Sequence, residues 1–351
     1  MATTSRAGRP HLKSSETPLC SAYDLAMLDL DGVVYVGEFA VDHAASSLGT
    51  AAAGGMHLAY VTNNASRTPD NIAAKLDKMG MPDVKPGDVV TSAQAAARLI
   101  AAEVPAGSDV LVVGGKGLIA ALAEHGLTAT STYVEGETAG VVQGFHPDVS
   151  WRLLAEGTFA VAAGLPWIAS NTDLSIPTPR GHAPGNGTLV WIIASTTGKK
   201  PIVAGKPEIA LFRETLLRVG GERPIVVGDR LDTDIKGANT AGADSLLVFT
   251  GVTDLAKVAH ATDDERPSYV APDLRGLLAP QLPVEVHGDS AHCGEVVVHH
   301  TFGRVRVRDV AEDITSVLRA TVALAWSYLD RGGDKLDMAQ PQAILDEMMK
   351  A

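Results

Sequence analysis

Cysteine is nearly missing from this chain: Cys20 and Cys293 are the only two in 351 residues. Two isolated thiols offer neither a metal-ligand spacing nor a disulfide framework, which fits a reducing, cytoplasmic setting. Positive charge is in short supply, with 29 Lys+Arg against 41 Asp+Glu and a formal net charge of −12. That balance argues against nucleic acid and anionic membrane surfaces as main partners. A small anion stays compatible, because one local positive group can hold it. No apolar run reaches the roughly 18 residues of a membrane span, so no membrane insertion is expected. No repeat of solenoid period is present. Residues 1–19 are polar, carry Ser, Thr and Pro, and lack an apolar stretch of signal-peptide length, so they read as a frayed tail. What is present is a globular composition, 46% hydrophobic and 20% charged. The length suits two or three domains whose core needs no disulfide or metal to fold.

Short apolar runs alternate with helical patterns along the chain. Strands are expected at 24–30, 57–62, 110–114, 224–228 and 244–249, with further strand-like runs at 139–145 and 159–170. Helices are expected near 42–53, from Thr68-Pro69-Asp70 onward, and near 207–219, Pro69 standing where a missing N–H is harmless. This alternation predicts parallel sheets wrapped by helices. After Pro280 and Pro283 the character changes. Residues 283–289 read as a polar linker, 294–308 as one or two strands, and 309–330 as a long amphipathic helix. So small a piece is expected to pack on the main body.

Four motifs fall on strand-to-helix boundaries. Asp29-Leu30-Asp31-Gly32 follows an apolar strand, and residues two apart in an extended chain share a side. Two carboxylates then face one spot at the C-terminal end of a strand, where open parallel sheets form ligand sites. Gly32 permits the turn that follows. Thr62-Asn63-Asn64 ends a second strand and offers hydroxyl, amide and N–H groups suited to phosphate oxygens. Lys206 precedes Pro207 just ahead of a helix. Asp229-Arg230-Leu231-Asp232-Thr233-Asp234 follows the strand PIVVG and adds carboxylates, Asp229 and Asp234 being better placed than the turn residue Asp232. Three or so oxygen donors suit Mg²⁺.

The ordered set DLDGVVYVG, VTNNASRTP, AGKP and VGDRLDTDI resembles the four motifs of the haloacid dehalogenase superfamily of phosphatases. The resemblance implies an α/β protein with a doubly wound, Rossmann-like parallel-sheet core. It makes Asp29 the nucleophile that forms an aspartyl phosphate and Asp31 the general acid and base. Thr62, Asn63 and Asn64 hold the phosphoryl group, and Lys206 neutralises it. Asp29, Asp31 (through its backbone carbonyl), Asp229 and Asp234 surround Mg²⁺. The stretch between Thr62 and Lys206 is far too long for one crossover and resembles the α/β cap of the type IIA branch. The implied division is a tail at 1–19, a core at 20–92 and 196–282, an inserted cap at 93–195 and a small α+β extension at 283–351.

The segment from Ala169 to Thr188 also resembles that branch, with Ile176, Arg180 and His182 as candidate substrate readers. Pyridoxal-phosphate phosphatases of the branch carry histidine where Ile176 stands, and the loop has no stacking aromatic, so a small phosphorylated polyol is the expected substrate. A capped phosphatase with such a tail resembles the actinobacterial glycerol-3-phosphate phosphatases, whose tail looks like part of an acetyltransferase. Residues 281–351 lack Arg or Gln three residues before any Gly, as an acetyl-CoA loop would require, so the tail is expected to be structural or regulatory. Caps of this branch often pair, which makes a homodimer an expectation. Rival readings are a phosphoglycolate, nucleotide or sugar phosphatase, a phospho-Asp signalling module, and a bifunctional acetyltransferase. The general acid Asp31 and the long insertion count against the signalling module.

Overall fold

The computed structural model describes residues 12–178, 180–308 and 313–350. The chain separates into two compact units, Met1–Leu58 with Gly221–Ala351, and Ala59–Gly220. Among the described residues, no helix is long and apolar enough to cross a membrane.

The first unit carries parallel strands in the order Tyr269–Ala271, Asp244–Val248, Pro224–Gly228, Leu25–Leu28. All four residues of Leu25–Leu28 are buried, as befits a parallel strand covered on both faces. Register runs from Met27 to Val226 and from Val226 to Ser245. These are the strand expected at 224–228, with those bounds, and the strands expected at 24–30 and 244–249, trimmed at their ends. The helix expected near 42–53 is Ala44–Ala53.

The C-terminal extension is larger than expected. Residues 283–289 are no linker: Val284–His287 is a strand, and it pairs antiparallel with Ser290–Cys293. Strands Val296–Thr301 and Arg304–Val307 complete a four-stranded antiparallel sheet. The alternation Val-Glu-Val-His carries the strand signal, and Gly288-Asp289, which has the composition of a loop, is a hairpin turn. The long helix begins at Ile314, after an Asp313 cap that accepts from the Ser316 N–H at 3.2 Å. Its expected start at 309–312 lies outside the described residues. Residues 316–326 are all buried, so the helix is a core helix with no amphipathic face over that span. It shares one core with the parallel sheet: Trp326, Val298 and Cys293 cluster with Leu247, Val258 and Val270, and the Trp326 indole donates to Val258 O at 2.8 Å.

The expected frayed tail does not hold for residues 12–19, while residues 1–11 lie outside the described residues. Ser15 and Gln281 exchange backbone hydrogen bonds at 2.9 and 2.8 Å, and Lys13 N–H donates to Ser268 O at 2.9 Å. Arg319, only 1% exposed, fastens this segment. Its guanidinium donates to Leu282 O at 3.0 Å, Gln281 Oε1 at 3.1 Å and Lys13 O at 2.6 Å. Replacing Arg319 with Met leaves these acceptors buried and unsatisfied, at roughly 1–3 kcal/mol each before relaxation. We expect a net loss of about 3 kcal/mol in urea unfolding, together with faster amide exchange at Lys13.

The second unit holds an all-parallel five-stranded sheet in the order Ile202–Val203, Trp167–Ala169, Thr138–Gln143, Asp109–Val113, Thr128–Thr130. The expected strand run at 159–170 is corrected. Residues Trp151–Ala162 are helical, started by Ser150, whose hydroxyl accepts from the Leu153 N–H, and only Trp167–Ala169 is strand. Apolar stretches of this length fit either state, and the Ser cap decides for helix. Tyr60–Thr62 pairs parallel with Val89–Thr91. The helix predicted after Thr68 runs Pro69–Lys78, with Pro in its first turn, and the one near 207–219 is Ile209–Val219.

Candidate active site

In the first unit, Asp29 leaves the end of its strand with its N–H still donating to Val227 O at 2.9 Å. Leu30 O then accepts from the N–H groups of Val33, Val34 and Tyr35, which turns the chain sharply. Gly32 sits in this turn at φ +91°, and a Cβ there would lie 2.6 Å from Asp229 Oδ2. No other residue could bring the backbone so close. Asp229 follows the parallel strand next to Leu25–Leu28, and a single wide helical turn, Leu231–Ile235, brings Asp234 back toward it. Such one-turn π segments recur at functional sites. Arg230 N–H donates to Asp234 Oδ2 at 3.2 Å, and Val252 N–H donates to Asp229 Oδ2 at 2.7 Å. Gly251 approaches the same carboxylate, and a Cβ at this position would fall 2.0 Å from Asp229 Oδ2. The loop carrying Gly251 is held by Thr250 Oγ1, which donates to Gly32 O at 2.5 Å, and by Leu255 N–H, which donates to Gln342 Oε1 at 2.8 Å.

The outcome is a group of three carboxylates. Oxygens of Asp29, Asp229 and Asp234 all lie within 4.8 Å of one another. Asp229 and Asp234 are 0% and 1% exposed, and Asp29 is half-buried. Like charges so close and so dry repel strongly, and a hard divalent cation turns that repulsion into attraction. Three carboxylate oxygens fit a hard cation such as Mg²⁺ or Ca²⁺ and not a soft metal. Asp31 is exposed and outside this group. Asp232 is also exposed, and its carboxylate accepts from Arg230 at 3.1 and 2.8 Å, the local turn role expected of it.

In the second unit, Thr62 closes its strand in a buried position, with Oγ1 accepting from Asn64 N–H at 3.1 Å. Asn63 acts as a brace. Its Oδ1 accepts from Lys206 N–H at 2.8 Å, and its Nδ2 donates to Lys206 O at 3.1 Å and Asp173 Oδ2 at 3.2 Å. Both ends of the amide are therefore committed to fixing Lys206 and the 171–173 loop. Asn63 O in turn accepts from Ser92 Oγ at 2.6 Å and Asn171 Nδ2 at 2.7 Å. Gly205 makes the approach possible, since a Cβ there would stand 2.5 Å from Asn63 Oδ1. Lys206 is 4% exposed with Nζ 3.4 Å from Val61 O. Asn64 is exposed, and its Oδ1 accepts from Ser66 N–H and Oγ at 2.9 and 2.8 Å, a turn in which its amide caps the loop.

Ile176, Arg180 and His182 belong to a hairpin of strands Ser175–Thr178 and Gly181–Pro184. Ile176 pairs with Ala183, and His182 with Pro177. Facing residues share a side and alternate along a strand, so Ile176 and His182 lie on opposite faces. Arg180 is exposed at the turn. The three do not form one cluster. Sequence reasoning assigned no role to Ser92, Asn171, Asp173, Thr250, Gly251 or Gln342, whose parts depend on partners far along the chain. Only the glycine of Gly205-Lys206 gave a local hint.

Two family models match the chain, a haloacid dehalogenase-like hydrolase over residues 26–128 and a second haloacid dehalogenase-like hydrolase over residues 203–277. A D-glycerol 3-phosphate phosphatase of Mycobacterium tuberculosis is 39% identical over 318 residues, covering 88% of this chain and 87% of the relative. An acid sugar phosphatase of Staphylococcus aureus is 36% identical over 259 residues, covering 73% of this chain and 97% of the relative. Among solved structures, a glycerol phosphate phosphatase of M. tuberculosis in complex with magnesium superposes with a TM-score of 0.76 at 37% identity, over 89% of this chain and 92% of that one.

Proposed function

We propose that this chain, which belongs to the haloacid dehalogenase-like hydrolase family, hydrolyses a small phosphate monoester, glycerol 3-phosphate being the substrate that fits best. The observation that carries the proposal is the convergence of Asp29, Asp229 and Asp234 oxygens within 4.8 Å at the ends of neighbouring parallel strands. The 39% identical relative named as a D-glycerol 3-phosphate phosphatase supports the choice of ester.

In this proposal residues 20–92 and 196–282 act as the hydrolase core and 93–195 as the cap. The separate parallel sheet formed largely within 93–195 supports that division. Asp29, Asp229 and Asp234, with the Asp31 backbone carbonyl, would hold Mg²⁺. When bound, the ion neutralises charge on the phosphate and the attacking carboxylate. An Asp29 Oδ attacks phosphorus, and the ester P–O bond breaks. Asp31 donates its proton to the departing alkoxide, which is a poor leaving group without it. Its exposure suits a group that must meet the substrate and then a water. Asp31 next takes a proton from that water as it attacks phosphorus, the bond to Asp29 Oδ breaks, and phosphate leaves. Lys206, fixed by Asn63, supplies positive charge to the phosphoryl oxygens, and Thr62 donates its hydroxyl. Asn63 serves as a positioning residue. The extension at 283–351 is structural or regulatory and not an active transferase, and its shared core with the sheet supports a structural part. The protein works in the cytoplasm, and pairing through the cap makes it a homodimer.

A panel of phosphate esters compared by kcat/KM tests the substrate. Glycerol 3-phosphate is expected above acid sugar phosphates and nucleotides, with activity lost on chelation and restored by Mg²⁺. A nucleotide at the top of the panel would overturn the choice of ester.

A further inference from the structure

Four of the eleven histidines fall within residues 287–300, in the antiparallel sheet of the extension. The hydrolysis proposed above makes no use of them. Register sorts the residues of this sheet into cross-strand rows. His287 faces Ser290, Ser290 faces His299, and His299 faces Arg306. In the next row Glu285 faces His292 and His292 faces Val297, while Arg308 N–H donates to Val297 O at 2.9 Å. Directly facing residues share a side, and the opposite side is filled by Ala291, Cys293, Val296, Val298 and Val305 of the core. The imidazoles of His287, His292 and His299 and the side chains of Arg306 and Arg308 therefore share the outer face. Of these, His287, His292, His299 and Arg308, together with His300, line a depression of about 350 Å³.

The acids nearby are already engaged. Glu285 sits 3.3 Å from His287 Nε2, and Asp289 sits 3.1 Å from His300 Nε2 and 3.7 Å from Arg331. His292, His299, Arg306 and Arg308 form no ion pair among the described residues. His299 Nδ1 and His300 Nδ1 are buried without a hydrogen-bond partner among the described residues. Imidazole and guanidinium donors with a surplus of positive charge recognise oxyanions, and Arg meets phosphate bidentately. A metal is not favoured. Among the described residues the only group whose ligand atoms converge is Asp29, Asp229 and Asp234.

We propose that the outer face of the C-terminal sheet is a second anion-binding site, built for a phosphate-type oxyanion and formed by His292, His299 and Arg308 with Arg306 beside them. The oxyanion is either free phosphate or the phosphoryl group of a small ester. Charged and titratable groups facing the site are Glu285, Asp289, His287, His300, Arg304 and Arg331.

The test uses the full chain and reads histidine ring signals by two-dimensional NMR during titration with inorganic phosphate. The rings of His292 and His299 are expected to shift saturably. Arg308→Gln, an exposed substitution, is expected to weaken binding about tenfold and leave turnover of phosphate esters unchanged. The same titration with glycerol 3-phosphate on the Asp29→Asn protein separates the sources. Saturation at lower concentration than phosphate assigns the ester, and the reverse assigns free phosphate. Rings that do not shift, or shifts untouched by Arg308→Gln, would each overturn the proposal.

Discussion

Asp29→Asn is expected to lower kcat/KM on phosphate monoesters by about 10⁴-fold or more, the scale seen when a nucleophile acting in a concerted set is lost. The substitution keeps shape. The Asp29 N–H bond to Val227 O is made by backbone, and the neutral amide relieves repulsion from Asp229 and Asp234. The loss should therefore appear in turnover, with thermal unfolding in the absence of cation no lower than that of the parent. Asp31→Asn separates the two carboxylates by role. Its loss should be about 10²- to 10⁴-fold on an alkyl ester and much smaller on p-nitrophenyl phosphate, whose leaving group needs no proton. Equal losses on both esters would remove Asp31 from the general-acid role.

Asp229→Asn is expected to abolish the response to Mg²⁺ in both activity and stability. Asp229 is 0% exposed and is approached by the Gly32 turn, by Gly251 and by the Val252 N–H, so a cation bound there meets a fixed carboxylate. A ligand that binds only the folded state stabilises it by about 2.7 kcal/mol at a concentration one hundred times its Kd. The parent should show that shift in thermal unfolding as Mg²⁺ is titrated. The variant should show none, and without Mg²⁺ it should be at least as stable as the parent, because one of three mutually repelling carboxylates is gone. An equal Mg²⁺ shift in both proteins would move the cation site elsewhere.

The carboxylates are legible in the sequence because their placement is local. A buried apolar strand followed by Asp-x-Asp-Gly, and a second one followed by Gly-Asp, can end only on the same edge of a parallel sheet. The glycines mark where another backbone or side chain must come close, as Gly32 does with Asp229. The brace around Lys206 is not legible. Asn63, Asn171, Asp173 and Ser92 meet across separations of 29 to 143 residues, and isolated polar residues carry no periodic signal that forecasts such meetings. Asn63 reads in the sequence as a phosphate ligand, a reading that does not reveal its side-chain amide holding Lys206. The strand Val284–His287 escapes for a related reason. Its outward Glu285 and His287 give it the look of polar linker, although apolar Val284 and Val286 alternate with them as a half-buried strand requires. The helix Ile314–Asp330 is placed by its apolar content, but its burial along 316–326 depends on a sheet with twice the expected strands.

The central chemical step is covalent and falls on one carboxylate, and trapping that carboxylate tests it most directly. Protein quenched in acid within a single turnover of glycerol 3-phosphate, reduced with borohydride and digested, should yield the peptide containing residue 29 with Asp29 converted to homoserine. The Asp29→Asn protein should yield none. Steady release of phosphate with no reducible acyl phosphate on Asp29, or the modification found at Asp31, Asp229 or Asp234 instead, would contradict the assignment of Asp29 as nucleophile.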